Sequence, residues 1–320
     1  MTLSTAAPAA NAAAPLRAPR RPRRPGNALA PSHRGDGRLA WILIAPAAIG
    51  FLAFAVYPTL RGIYLSFTDY RLLSSPTFIG VQNFVDMVQD STFWSSLLVT
   101  VYFVILAVAL TLAFSLLTAA ILHRVTKSTV LRGLIILPFL ISGVVAATVW
   151  SWMLDPQLGI VNVLIEHLGA SPVKFLTSRE WAIPSLAVIS VWKNLGYTSI
   201  IIFAGLQTIP PTIYEAGRLD GASEAKMFFR LTLPLLRPIL ALVVVLNVIG
   251  AFQVFDIVSV ATKGGPANAS LVLQMYIYQK AFGQFDFGYA SAMSLALFLI
   301  LIVITFVQMR LLRANESDNA

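Results

Sequence analysis

The residues with most chemical scope in this sequence are polar ones set inside apolar runs. Lys193 and Asn194 interrupt one such run, Asn247 and Gln253 interrupt another, and Asp256 follows near its end. A charge or an amide in hydrocarbon is costly, so residues of this kind point by default to a solute or ion pathway. The same amides can instead bond between helices for roughly 0.6–2 kcal/mol without touching any solute. Lys193 can also snorkel outward or pair with an acidic neighbour. No reactive constellation accompanies them. The chain has no cysteine, which removes disulfides, thiolate metal sites and a cysteine nucleophile. His33, His123 and His167 lie far apart, without metal-ligand spacing. The apolar runs hold no Ser/His, His/Glu or paired-Asp set, and no GxxxxGK[ST] phosphate loop occurs anywhere. These absences argue against an enzyme and against nucleotide chemistry in this chain.

A second informative stretch is a long interruption between apolar runs. Gly205–Pro238 separates two apolar runs by about thirty residues, far more than a minimal connection needs. Thr212-Ile213-Tyr214-Glu215 has the form of a helix capping box after the pair Pro210-Pro211. Asp220-Gly221 predicts a reversal. Beyond it Ala225, Phe228, Phe229 and Thr232 recur at helical spacing on one face, and Pro234 is expected to end that second short helix. Two helices in a cytoplasmic loop are therefore predicted.

The elements that hold these segments follow from composition. Of 320 residues 57% are hydrophobic and 12% charged, against roughly 25% charged in ordinary soluble domains. The apolar residues gather into stretches near the ~20 residues that cross a bilayer core. Six spans are predicted, at about 39–60, 96–122, 131–154, 182–204, 238–260 and 291–311. Pro46, Pro138 and Pro184 fall inside or at the edges of them, as membrane helices tolerate. With the N-terminus in the cytoplasm, the inside segments carry sixteen of the 23 Lys and Arg and the outside segments six, with Lys193 inside a span. That asymmetry satisfies the positive-inside rule and places both termini in the cytoplasm. The formal charge of +9 therefore reports topology rather than nucleic-acid binding. Residues 1–38, rich in Ala, Pro and Arg, are expected to be a disordered basic cytoplasmic tail. Arg17 to Arg24 followed by Leu39–Val56 imitates a signal peptide, but no small-residue cleavage site follows, so cleavage is not expected. Tyr64, Tyr70, Trp94, Trp150, Trp152 and Trp181 flank the outside segments as expected interfacial anchors. A short amphipathic helix within 80–94 is expected on the outer surface.

The loop carries a specific resemblance. Glu215-Ala216-Gly217, three residues, Gly221, nine residues, Leu231, one residue, and Leu233-Pro234 resembles the EAA loop of ABC-importer permeases, with Gly217 for the usual second alanine and Leu231 for isoleucine. From about Leu39 the chain is similar to the carbohydrate-uptake branch, the MalF/UgpA-like permeases. The supporting strings lie at 76–94, 132–162, 191–197 and 255–270. The resemblance implies an all-α membrane protein with the type I importer permease fold. It implies a permease domain over 39–312, with the importer core at about 92–311, a coupling loop at 205–237 and a short cytoplasmic tail at 313–320. It implies a multi-pass subunit of the cytoplasmic membrane with no cofactor, paired with a second related permease, two ATP-binding-cassette ATPase subunits and an extracytoplasmic solute-binding protein. ATPase coupling would fall to Glu215, Ala216, Gly217, Asp220, Gly221, Phe228, Phe229 and Pro234, although capping alone would also explain Glu215. The substrate pathway would fall to Trp192, Lys193, Asn194, Gly196, Tyr197, Asn247, Gly250 and Gln253. An aromatic plate among amides suits a sugar or related polyol; glycerol phosphate, with Lys193 as its charge partner, is the alternative cargo. An ion-coupled secondary transporter would instead show repeated halves and paired intramembrane acids, and neither is visible. Gly264-Gly265-Pro266, with Thr262, reads either as an outer loop near the binding protein or as a helix-ending turn.

Overall fold

The structure is a computed structural model that describes residues 36–125 and 128–313. Arg17 to Arg34, Lys127 and residues 314–320 lie outside the described residues. Among the described residues the regular secondary structure is helical, with two isolated β-bridges in the connections, and the chain divides into two compact units at the Tyr57–Pro58 bond. In the first unit α1 (Asp36–Phe51) runs on through a π turn at Leu52–Val56. It begins at Asp36, so the last three residues assigned to a disordered tail are helical. Trp41, Leu43, Phe51 and Phe54 are all exposed, as expected of a segment whose solvent is lipid.

The second unit opens with the remainder of α2 (Tyr57–Leu65), followed by α3 (Gln82–Gln89) and the long α4 (Ser91–Val125). The short helix expected in 80–94 is α3, and Trp94 already belongs to α4. Between them Asp90 turns the chain, accepting the Thr92 N–H at 2.8 Å and the hydroxyls of Tyr276 and Tyr289. The outer segment before α3 is held by Asn83, whose buried amide donates to the Ser66 and Thr68 carbonyls at 2.9 and 2.8 Å. A similar anchor organises 155–181, where the Asn162 amide group joins the Asp155 carbonyl and both backbone groups of Val173.

Among the described residues five helical stretches are long and apolar enough to cross a membrane, or six if one bent pair is a single span. The span expected at 131–154 is α5 (Thr129–Leu140) followed by α6 (Gly143–Met153), bent by 91°. Pro138 removes a backbone donor near the end of α5, and Ile141 and Ser142 are extended, so the helical ladder stops there. A single-helix reading of 131–154 is thus corrected. After α7 (Ile160–His167), α8 (Ala182–Leu206) forms the centre of the unit. Ile183, Leu186, Ile189, Ile202 and Leu206 are buried along it, with α4 and α5 packed against it. The approach of α5 is close because Gly196 has no side chain: a Cβ there would overlap the Ile135 carbonyl. The Ser115 hydroxyl donates to the Leu195 carbonyl at 3.1 Å, tying α4 to the same place on α8.

The long loop folds as α9 (Pro211–Leu219), α10 (Glu224–Met227), a π turn at Phe228–Thr232 and the single turn α11 (Leu233–Leu235). The chain then returns to the bundle as α12 (Arg237–Phe252) and α13 (Asp256–Ala261), and α14 (Leu273–Tyr278) leads by a third π turn to α15 (Phe287–Arg313). Thr262 ends α13, and the turn that follows is closed by the Ser270 hydroxyl on Thr262 Oγ1 and the Gly265 carbonyl. Gly264-Gly265-Pro266 thus lies in a turn at the end of α13.

Candidate functional site

Two sites take shape from these elements. The first is a cavity of about 460 Å³ between α4, α5, α8, α12 and the start of α13. Six of the eight pathway residues expected from the sequence line it: Lys193, Asn194 and Tyr197 from α8, with Asn247, Gly250 and Gln253 from α12 and its end. Trp192 and Gly196 do not. Trp192 packs edge-on against Trp150 at 5.8 Å, and Gly196 is the helix-crossing contact with α5. On a helix, residues 192 and 196 share a face that 193, 194 and 197 only partly share, which is why the string at 191–197 divides between packing and lining.

The polar groups in the cavity are partly committed. The Asn194 amide donates to the Ser190 carbonyl one turn back at 2.9 Å. The Asn247 amide donates to the Val243 carbonyl at 2.9 Å and reaches Thr198 Oγ1 on α8 at 3.4 Å. Asn247 therefore supplies an interhelical bond as well as a cavity wall. The Lys193 ammonium lies 5.2 Å from the centre of the Phe139 ring, and that ring stacks on Tyr197 at 4.4 Å and 10°. Asp256 lines the cavity too, so a cation, a carboxylate, amides and aromatic faces converge on one space. Such a mixture can hydrogen-bond hydroxyls both as donor and as acceptor. Phe139, Thr111 and Ser190 escaped the sequence reading, because a lone hydroxyl or ring in an apolar run carries no periodic signal. Pro138 beside Phe139 is compatible with a kinked span and does not single the ring out.

The second site is the loop of α9 to α11. The capping box is not formed: Pro210 is the N-cap, without a side-chain bond, and Pro211 occupies the first turn. With the helix begun by a proline whose missing N–H costs nothing there, Thr212 is left without a capping role. Glu215 and Ala216 stand exposed on α9 while Gly217 is buried against Met227 and Leu231. Asp220 ends the helix, and Gly221 takes φ +70, the left-handed value that glycine adopts without strain. The Ala222 N–H donates to the Gly217 carbonyl at 2.9 Å, closing a Schellman-type turn. The second helix differs from expectation. Ser223 caps it through the Lys226 N–H, and the π turn inserts an extra residue, so Ala225, Phe228, Phe229 and Thr232 do not share one face. Met227 and Thr232 are buried, Phe228 is half-buried and Phe229 is exposed. Pro234 lies inside a helical turn rather than stopping one; the break comes at Leu236. The Tyr214 hydroxyl meets Thr232 Oγ1 at 3.1 Å and joins the two helices. Ile213 and Tyr214 pack on the buried cluster of Ala119, Leu122, Leu206 and Leu236, which seats the loop on the ends of three spans.

His123 is at the end of α4, edge-on to Phe203, and the His167 ring nitrogen sits 2.8 Å from the Val163 carbonyl in α7. Neither lines the cavity.

Residues 111–317 match the family described as binding-protein-dependent transport system inner membrane component. The chain is 36% identical over 281 residues to the probable ABC transporter permease protein YesP of Bacillus subtilis, covering 86% of this chain and 91% of that protein. It is 34% identical over 286 residues to the sulfoquinovosyl glycerol transport system permease protein SmoG of Agrobacterium fabrum, covering 88% and 92%. Among solved structures, a chain of a bacterial ABC transporter involved in the import of the acidic polysaccharide alginate superposes with a TM-score of 0.77 at 26% identity, covering 88% and 98%. A helical chain with five or six stretches long and apolar enough to cross a membrane among the described residues, a helical loop between two of them and these matches lead to one assignment: the chain belongs to the inner-membrane permease components of binding-protein-dependent ABC import systems.

Proposed function

We propose that this permease passes a sugar or related polyol through the cavity beside Lys193, driven by ATP hydrolysis on a separate ATPase dimer that grips the α9–α11 loop. The convergence of Lys193, Asn194, Tyr197, Asn247, Gln253 and Asp256 on one space is the observation that carries the cargo reading. The names of SmoG and of the alginate importer, whose cargoes are saccharide derivatives, support it. On the loop, exposed Glu215 and Phe229 offer a charge and an apolar contact to the ATPase, while buried Gly217, the Gly221 turn and the Asp220 end keep the hairpin compact. Ala216, Phe228 and Pro234 complete the segment assigned to coupling. A second related permease would close the cavity from the other side, and a solute-binding protein would deliver cargo at the outer face. In this reading 39–312 is the permease domain, with both termini and the loop in the cytoplasm. An ion-coupled secondary transporter leaves both the loop and the family membership without a reason.

The test is uptake by the whole importer in liposomes. Glu215→Lys and Gly221→Val are expected to abolish uptake while the permease still inserts and assembles. Normal uptake by both would refute the coupling role. Cargo class is read by thermal-shift screening of the cognate binding protein against neutral and acidic saccharides, where stabilisation by amino acids alone would refute a sugar.

A further inference from the structure

Glu224 lies outside the residues so far given a role, yet two arginines from different elements meet on its carboxylate. Arg124 Nη2, at the cytoplasmic end of α4, is 2.7 Å from Glu224 Oε2. Arg218 Nε, in the last turn of α9, is 3.6 Å from Glu224 Oε1. Glu224 is itself the first residue of α10, where a negative charge is favoured by the unpaired N–H groups of a helix start. One carboxylate thus joins both helices of the loop hairpin to a span that lies a hundred residues earlier in the chain.

That link matters because of how the loop is attached. By chain connection it belongs to α8 on one side and α12 on the other. Its packing reaches the cluster that α4 shares, since Ile213 and Tyr214 pack on the buried group that includes Ala119 and Leu122. Apolar packing of this kind is non-directional and permits sliding. A bridged pair of charges at the rim of the same contact fixes its direction. Arg124, Glu224, Arg218 and Glu215 also line one groove of about 500 Å³, so the tie sits beside the residue proposed to meet the ATPase.

We propose that Glu224 is a positioning residue: through Arg124 and Arg218 it makes the loop hairpin and the end of α4 move as one body, so that force received by the loop reaches α4 directly. The inference rests on the coupling role proposed for the loop. The three side chains are about half exposed, so the tie orients the loop rather than holding the fold together.

The experiment uses the complete importer in liposomes, with partner subunits free of cysteine. Uptake per ATP hydrolysed is measured for E224Q, R124Q and the double variant. Each single change is expected to lower that ratio about two- to five-fold, the scale of an exposed ion pair. The double variant is expected to fall no further than E224Q, and all three to retain the ATPase in pull-downs. Additive losses, or singles that couple normally, overturn the proposal. Because the chain carries no cysteine, R124C/E224C introduces its only two thiols. This variant is expected to couple poorly and to recover when a short bis-methanethiosulfonate joins the pair; no recovery overturns the tie. E215K separates the two readings. If it abolishes coupling while E224Q and R124Q are silent, only the tie fails; if it too couples normally, the role of the loop fails with it.

Discussion

Lys193 places an ammonium against the Phe139 ring inside a space that also receives Asp256, and no carboxylate lies within 4.0 Å of its nitrogen to form an ion pair among the described residues. Its desolvation in the bundle is offset in part by the ring, and the rest is available to a solute oxygen. Replacing Lys193 with Met removes a charge-assisted bond, worth about 1.5–3 kcal/mol, so initial uptake is expected to fall roughly ten- to a hundredfold. Changing Trp192 to Phe, which touches Trp150 instead of the cavity, is expected to leave uptake within about twofold. Asp90 makes a different residue-level case, at the outer end of α4. Burial pushes its carboxyl up, but the hydrogen bonds from Tyr276, Tyr289 and the Thr92 and Phe93 backbone outweigh burial and hold it below the usual carboxylate value. A group lowered by folding stabilises the fold at every pH above its unfolded value and loses that contribution as pH falls through the lowered one. Asp90→Asn should therefore melt below the parent at pH 7, and the gap between the two should close as pH drops below about 4. Melting curves of the two purified proteins across pH 3–7 check the sign; a gap that widens in acid contradicts it.

Helices and turns show where sequence reasoning reached and where it stopped. Gly221 was legible, because Asp-Gly between two helical patterns needs a left-handed residue, and φ is +70 there. Gly221→Val puts a β-branched side chain in that region, at a cost of about 1–3 kcal/mol confined to the hairpin. The expected result is normal membrane insertion with lost coupling. At Gly196, which the resemblance assigns to the pathway, α5 presses its Ile135 carbonyl onto the bare backbone. Gly196→Leu should therefore act on the fold, lowering the melting temperature by a cost of about 1–3 kcal/mol whether or not cargo is present. Protection of this variant by cargo to the parent's melting point would restore the pathway reading. Five spans were legible from apolar length alone, although the one expected at 238–260 is interrupted between α12 and α13, and so was a hairpin in the long loop. The break in α5–α6 was not, since Pro138 is compatible with a kinked span and only the extended Ile141 and Ser142 make it a 91° bend. The π turn at Phe228–Thr232 was invisible for a related reason. A strict 3.6-residue period assigns Phe229 to the buried face, and one inserted residue turns it outward. The Glu224 tie had no signal, because Arg124 and Glu224 are brought together only by the packing of α4 on the loop.

At the scale of the molecule, the bent pair α5–α6 decides the side on which everything after it lies. If the pair crosses the bilayer as one broken span, residues 154–181 are outside and the α9–α11 loop is inside. If it dips in and returns to the same side, every later segment is inverted and the loop faces outward, where no ATPase can reach it. Charge separates the two. With a crossing, Arg218, Lys226, Arg230, Arg237 and Arg310 fall on the cytoplasmic side and Lys174 and Arg179 on the outer side. Without one, the five change places and the sequence sets itself against the positive-inside rule. Single cysteines make the point measurable, because the chain supplies none of its own. Ser171→Cys, in the exposed segment after α7, is expected to react with a membrane-impermeant maleimide in intact cells. Ala222→Cys, in the hairpin, is expected to react only once the membrane is opened. Labelling of Ala222→Cys from outside would invert the molecule, and with it the coupling role of the loop and the tie at Glu224 would both fall.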